Sequence, residues 1–365
     1  MTGRAPAAGA VALAQAAAGR VRPASEHWRR EGAHRLGRLT KPPGSLGRLE
    51  EIAIRCCAIQ ERLELTTSPR RIVVCAADHG VVSEGVSAYP KAVTAQMVAN
   101  FLTGGAAINA LAAAAEAEVW VVDVGVDGPV AAAGAHARLL SRRIRNGTRN
   151  MLDEPAMTEA ELLGALRVGF ELSAQAAADG VRLLGLGEMG IGNTTAASAV
   201  TAGVTGRAPS LVTGRGTGVN EEAFARKLAV VERAVARHCC PQGAPLDVLR
   251  SVGGLEIATL CGLSLGAAVH RVAIVADGFV ATSAALVAAA LAPSVTDYLF
   301  AGHLSPEPGH AVQLEHLGLS PLLDLGMRLG EGTGAALAMP VIGAAAQAFT
   351  SMATFESAGV SGQDA

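Results

Sequence analysis

Residues 181–195 read Val181-Arg182-Leu183-Leu184-Gly185-Leu186-Gly187-Glu188-Met189-Gly190-Ile191-Gly192-Asn193-Thr194-Thr195. The run Val181–Leu186 has the length and apolar character of a buried parallel strand, and it breaks into a glycine-rich turn followed by small residues of helical character. Gly185 to Gly190 matches GxGxxG, the nominal dinucleotide fingerprint. Two features speak against that reading. No Asp or Glu lies between Glu188 and Glu221, so the acid expected about twenty residues on for a ribose hydroxyl is missing. Glu188 would also place a carboxylate inside the loop meant for pyrophosphate. The other reading is a mononucleotide site, in which Gly190, Gly192, Asn193 and Thr194 present backbone N–H groups at a helix start to one phosphate.

A second glycine-rich loop, Thr213-Gly214-Arg215-Gly216-Thr217-Gly218, also precedes a helix, expected over Glu221–Ala236. Lys227 lies within that helix and can bring a cation to the same phosphate as Gly216, Thr217 and Gly218. Two hydroxyl-rich turns, each opening a helix, favour phosphate binding over two ordinary tight turns. The third signal is Arg328-Leu329-Gly330-Glu331-Gly332-Thr333-Gly334. A carboxylate between glycines at the mouth of an apolar helix is accessible to close approach. Its structural alternative is a residue that complements the helix dipole.

Outward from these loops, strands are expected at Arg71–Ala77, Ala117–Val126, Val272–Ala276 and Val295–Ala301. Helices are expected from Ser45, as cap, to Leu63, over Ala92–Ala115 with a break at Gly104-Gly105, and over Pro155–Ala178. Apolar strands alternating with helices imply an α/β fold: a parallel sheet with helices on both faces and ligands beyond the strand carboxyl ends. There stand Asp78-His79-Gly80, Glu188-Met189-Gly190 and Asp277-Gly278. The expected division is an α/β catalytic domain over 71–329 and a smaller helical domain from 1–70 and 330–365.

Half of the 365 residues are hydrophobic, yet only 3% are aromatic and 43 are glycine, which suits close packing of small-residue helices rather than an all-β sandwich. The net charge of −2 and the absence of a basic stripe argue against a nucleic-acid partner; Arg142, Arg143, Arg145 and Arg149 read as a solvated turn. The six cysteines (56, 57, 75, 239, 240, 261) show no CxxC spacing and read as reduced thiols. The N-terminus lacks a secretory signal pattern, so the cytoplasm is expected. The uncharged stretch between Glu331 and Glu356 is long enough for a bilayer, but Pro340, Gly343 and Gln347 interrupt it, and buried helices without a membrane partner are expected. Asp78-His79 and His303-x-x-x-Glu307-x-x-His310 lack a compact ligand set; structural histidines and no metal are expected. Asp277-Gly278 could touch ribose hydroxyls or merely end a strand.

From Lys41 to about Ile342, the motifs Lys41–Glu50, Ala76–Val86, Gly187–Thr195, Gly214–Gly218, His303–His310 and Leu325–Ala336 resemble, in order and context, the nicotinate-nucleotide:dimethylbenzimidazole phosphoribosyltransferase family. The resemblance implies a Rossmann-like α/β domain, a homodimer, no cofactor, and two small-molecule substrates, nicotinate mononucleotide and dimethylbenzimidazole. It puts the catalytic base on Glu331, a second pocket glutamate on Glu188, the phosphate glycines on Gly190, Gly216 and Gly218, and the phosphate lysine on Lys227. Ser87, Gln96, Met189 and Leu329 are implied around the base. A dinucleotide-dependent oxidoreductase and a non-catalytic nucleotide-binding regulator are the competing readings.

Overall fold

The computed structural model describes residues 9–130, 138–239 and 243–361. Its centre is an all-parallel sheet of seven strands in the order β3-β2-β1-β4-β5-β6-β7. They are β1 (Arg70–Ala77), β2 (Ala117–Gly125), β3 (Arg138–Ser141), β4 (Leu183–Met189), β5 (Ala273–Ala276), β6 (Leu299–His303) and β7 (Pro321–Leu323). The middle strands are buried at successive positions, on both faces, as continuous apolar runs require. The helix Leu255–Val269 packs across β1, β2, β4 and β5, while Thr333–Ser351 packs across β1, β4, β5, β6 and β7. The sheet is therefore of the doubly wound, Rossmann-like kind that the sequence implies.

The two edge strands depart from the sequence expectation. β3 is four residues of mixed exposure, and β7 is three residues opening with a proline. Such short, polar or proline-bearing edges carry little hydrophobic pattern. The strand expected from Val295 begins at Leu299, because Pro293–Tyr298 coils into a 3-10 helix. The helix expected to be capped by Ser45 begins at Arg48 after Gly47, with no side-chain cap. Glu50 Oε1 instead accepts Leu46 N–H at 3.1 Å and the Lys41 ammonium at 2.8 Å, which ties the Pro-Pro-Gly turn down from the other side. The Gly104-Gly105 break stands where expected, between helices Val93–Thr103 and Ala107–Ala114.

The small-residue composition has a packing reason. Helices Glu159–Ala178 and Leu255–Val269 approach backbone to backbone, and a Cβ on Gly262 would stand 3.0 Å from Leu166 Cα. The Thr333–Ser351 helix is long and apolar enough to cross a membrane by length and composition, but here it lies between the sheet and helix Arg48–Gln60. Cys56, Cys57 and Cys261 are free buried thiols that burial pushes up to about 12, which keeps them inert. Cys240 lies outside the described residues. The arginine cluster is more than a solvated turn: Arg143 pairs with buried Asp123 at 2.7 Å and Arg149 with Glu161 at 2.6 Å.

Two glycines of the GxGxxG motif lie inside β4, and their missing side chains are filled by other groups. A Cβ on Gly185 would stand 2.9 Å from Ile72 Cγ1 and 3.0 Å from Met339 Cε. One on Gly187 would stand 2.8 Å from the Glu331 carbonyl oxygen and 3.0 Å from Gly332 N. The motif thus admits the Glu331 loop onto the sheet. Gly187→Ala should force that loop outward, lower stability by about 1–3 kcal/mol and reduce turnover more than a surface substitution does. Thermal melting that matches wild type would show that the loop does not need the space.

Candidate active site

Strand order reverses between β1 and β4, and the crevice beyond their carboxyl ends is where a doubly wound sheet holds ligands. A cleft lies there. Glu188, Met189, Gly190, Asn193 and Thr194 line it from the end of β4, and Gly216 and Thr217 from the second glycine-rich turn. Asp277 and Phe279 enter after β5, His303 at the end of β6, Ser305 and Glu307 after it, and Arg328 to Gly330 from the last loop.

One end is built for an anion. Lys227, on helix Glu221–His238, is almost fully buried, and its ammonium donates to Thr194 Oγ1 at 2.9 Å. A Cβ on Gly216 would stand 2.8 Å from Thr194 Oγ1 and 3.1 Å from Lys227 Nζ, so a side chain there would crowd both groups. Burial pulls Lys227 down to about 8, opposed by the charge of Glu307. The turn's own amides are partly engaged: Gly216 N–H donates to Glu307 Oε1 at 2.8 Å and Gly218 N–H to Arg215 O at 3.0 Å. Gly216 and Gly218 have φ of +56° and +104°, so glycine serves the turn's shape there as well. Gly192, at φ +93°, starts helix Asn193–Thr205, and Gly190 has no side chain because the Ala77 carbonyl occupies that place.

The other end is acidic. Burial, reinforced by the charges of Asp277, Glu256 and Glu331, pushes Glu188 well above the usual carboxylate range, against a contact from the Asn193 amide. Burial lifts Asp277 up to about 7, although it accepts Gly332 N–H at 2.9 Å and Gly334 N–H at 2.6 Å. These two bonds make Asp277 the cap of helix Thr333–Ser351. The dipole of that helix is therefore complemented from β5, not by Glu331.

Glu331 is buried, with its backbone in the left-handed region at φ +65° between Gly330 at +88° and Gly332 at +89°. A glutamate there is strained, and strain of this kind gathers at functional sites. Its N–H donates to Glu188 O at 3.2 Å, and its Oε2 accepts Ile108 N–H at 3.4 Å. Burial and Asp277 raise its pKa, while the Ile108 bond lowers it. Glu331 is joined to Glu188 through the backbone, but its side chain turns to helix Ala107–Ala114 and is not part of the cleft lining. Met189 and Leu329 do line the cleft; Leu329 is exposed. Ser87 is half-buried and its Oγ accepts Tyr89 N–H at 3.2 Å, while Gln96 is exposed on helix Val93–Thr103; neither lines the cleft.

His79 and His310 have the buried, hydrogen-bonded settings of structural residues, while His303 lines the cleft. His79 Nε2 lies 2.6 Å from Glu256 Oε1, and His310 accepts Ser305 N–H at 2.9 Å, burial pulling it down to about 3. Ser305, Glu307 and Phe279 join the cleft although no sequence motif marks them as ligand-binding. Glu307 is visible in the chain only as the middle of a histidine pair. Its link to Gly216 spans 91 residues, and no local pattern encodes that.

A buried lysine behind a cleft that also holds buried carboxyl groups, beyond the strand carboxyl ends of a parallel sheet, suits a nucleotide-handling α/β protein. A family model described as phosphoribosyltransferase matches residues 21–360. Two proteins named nicotinate-nucleotide–dimethylbenzimidazole phosphoribosyltransferase are similar along nearly their whole lengths. That of Geobacter metallireducens is 51% identical over 340 residues, 93% of this chain and 96% of its own. That of Thermus thermophilus is 54% identical over 327 residues, 90% of this chain and 96% of its own. The crystal structure of CobT from Thermus thermophilus superposes with a TM-score of 0.88 at 52% identity, covering 92% of this chain and all of that one. The chain belongs to the nicotinate-nucleotide–dimethylbenzimidazole phosphoribosyltransferase family.

Asp277 carries a pH signature. Its folded pKa of about 7 lies above the ordinary value of 3.8, so folding takes up a proton and the residue's contribution to stability is lost as pH rises across that interval. Asp277→Asn should flatten this part of the stability–pH profile, measured by denaturant melts from pH 4 to 7. A wild-type slope in the variant would place the proton elsewhere.

Proposed function

We propose that this chain transfers the 5-phosphoribosyl group of nicotinate mononucleotide to 5,6-dimethylbenzimidazole or a related base. The products are α-ribazole 5'-phosphate and nicotinate, and the step serves the lower ligand of cobalamin. The observation that carries the reading is the cleft lined by Thr194 and Gly216, with buried Lys227 directly behind them, at one part and by Glu188 at another, in a chain about half identical to enzymes of that name.

Lys227, Thr194 and Thr217 supply the phosphate seat. In the nucleotide, the anomeric carbon is bonded to a pyridinium nitrogen. That ring leaves neutral, so no acid need protonate it. The entering benzimidazole attacks through one nitrogen and must shed the proton on the other; the base that receives it is Glu331, whose carboxyl has to turn from Ile108 into the cleft beside Gly330 to do so. This requires Glu331 to be ionised; burial disfavours that form and its pKa is raised, although the bond from Ile108 acts the other way. Attack from the face opposite the departing ring inverts the centre and gives the α-riboside. Glu188 lies along the cleft where positive charge develops on the sugar. Burial favours its protonated form, and a cationic ribosyl group alongside pulls it towards the carboxylate. Met189 and Leu329 offer apolar surface to the base, with Ser87 and Gln96 as more distant polar candidates. The scheme uses no metal and no cofactor. A homodimer in the cytoplasm belongs to the same reading, and sedimentation at the mass of one chain would remove the dimer from it.

Incubation with nicotinate mononucleotide and a panel of benzimidazoles, purines and phenols, read by mass, tests the activity. No riboside phosphate from any base would end the proposal. Glu331→Gln should lower kcat by about a hundred- to ten-thousand-fold with little change in nucleotide KM; near-normal turnover would assign the base to another residue. Wild-type kcat should fall on acidification with a midpoint above the ordinary glutamate value of about 4.3. Nucleotide affinity should weaken above about pH 8 as Lys227 loses its charge, and an affinity unchanged from about pH 8 to about pH 10 would separate Lys227 from the phosphate.

A further inference from the structure

The phosphate seat contains a carboxylate, which at first sight repels what the seat should hold. Glu307 is buried at the head of helix Pro308–Leu317 and lines the cleft. Its Oε1 accepts Gly216 N–H at 2.8 Å, while its buried Oε2 has no hydrogen-bond partner among the described residues. Two glycines of the turn are shaped around these groups. A Cβ on Gly214 would overlap Glu307 Oε2 and stand 2.7 Å from its Cδ, and one on Gly216 would stand 3.1 Å from Lys227 Nζ. Glutamate and lysine thus meet the same turn at its two glycines, without a direct ion pair between them.

We propose that Glu307 is a positioning residue of the phosphate seat: one oxygen locks the Gly214–Gly218 turn through Gly216, and its charge is the counter-ion of buried Lys227. This rests on the reading of Lys227 as the phosphate cation. Other charged and titratable groups around the cleft are Arg215 on the turn, paired outward with Glu221, and Glu188, Asp277, His303 and Arg328. Arg226, beside Lys227 on the helix, is paired with Glu222. Of all these, Glu307 is the group whose charge acts to keep Lys227 protonated, against the desolvation that lowers it. Without that carboxylate, the ammonium would give up its proton more easily, and the seat would lose charge in the range where a nucleotide phosphate is doubly ionised.

The test uses the full chain, with lysine labelled at the ε-carbon, and follows the Lys227 resonance against pH. Glu307→Gln keeps the side-chain length and an acceptor for Gly216 but removes the charge. The Lys227 midpoint should fall by about one pH unit, with nucleotide binding near pH 8 weakened by up to about tenfold. Glu307→Asp keeps the charge and loses reach; it should raise nucleotide KM while leaving the midpoint near wild type. An unmoved midpoint in Glu307→Gln overturns the counter-ion role, and so does tighter nucleotide binding, which would mean that the carboxylate only repels. An unchanged KM in Glu307→Asp overturns the role in the turn. Lys227→Met separates the two readings: if it leaves nucleotide KM unaltered, the phosphate assignment fails, while the Lys227 resonance in the Glu307 variants still decides whether these two groups are coupled.

Discussion

The site depends on one contact between backbones: the Glu331–Gly332 peptide lies on Gly187 in the middle of the sheet. A side chain at Gly187 would hold the last loop off the strand, and with it the carboxyl group of Glu331 and the first turn of helix Thr333–Ser351. The hydrogen bond from Glu331 N–H to Glu188 O fixes the register of this contact, so two glutamates distant in sequence become neighbours through their main chains. Three successive residues with positive φ, Gly330, Glu331 and Gly332, let the loop turn sharply enough to reach the strand and leave again as a helix. The glycine pairs around both glutamates therefore serve assembly of the site first and ligand contact second.

Asp277 makes the arrangement possible electrostatically. By accepting the N–H groups of Gly332 and Gly334, it takes over the task of complementing the helix. Glu331 is left free of that duty, with a single long bond to Ile108. Burying three acids together at the strand ends is costly, and the cost appears as proton affinity: each is pushed above its ordinary range. The lysine end mirrors this, its proton affinity lowered by burial and supported by Glu307. A molecule that is anionic at one end and cationic at the other matches both departures at once.

Much of this is legible in the chain. The central strands announce themselves as apolar runs, and the loops at their carboxyl ends carry the polar residues found in the cleft. Lys227 and Gly216 can be paired from sequence because a glycine-rich turn and a following helix keep them close. What cannot be read depends on distance. Val295 looks strand-like because its residue type suits a strand, yet Pro293 winds that segment into a helical turn. The GxGxxG match names the right loop for a reason it does not encode, since two of its glycines accommodate Met339 and Glu331 from the far end of the chain. Asp277 reads equally well as a ribose contact or a strand end; its capping of a helix more than fifty residues later has no local signature.

The backbone-to-backbone packing of Glu159–Ala178 against Leu255–Val269 bears on how this protein can vary. Where these helices touch at Gly169, Gly262 and Gly266, the glycines have no side-chain torsion to lose on folding. At these glycines no volume is left to remove, and truncation does its damage instead at the buried side chains beside them, such as Leu166, Leu260 and Leu263. The danger lies in growth: one added methyl group at Gly262 meets Leu166 main-chain atoms that cannot swing aside. Drift at this seam should be bounded by crowding, with its freedom concentrated at the edges of the sheet.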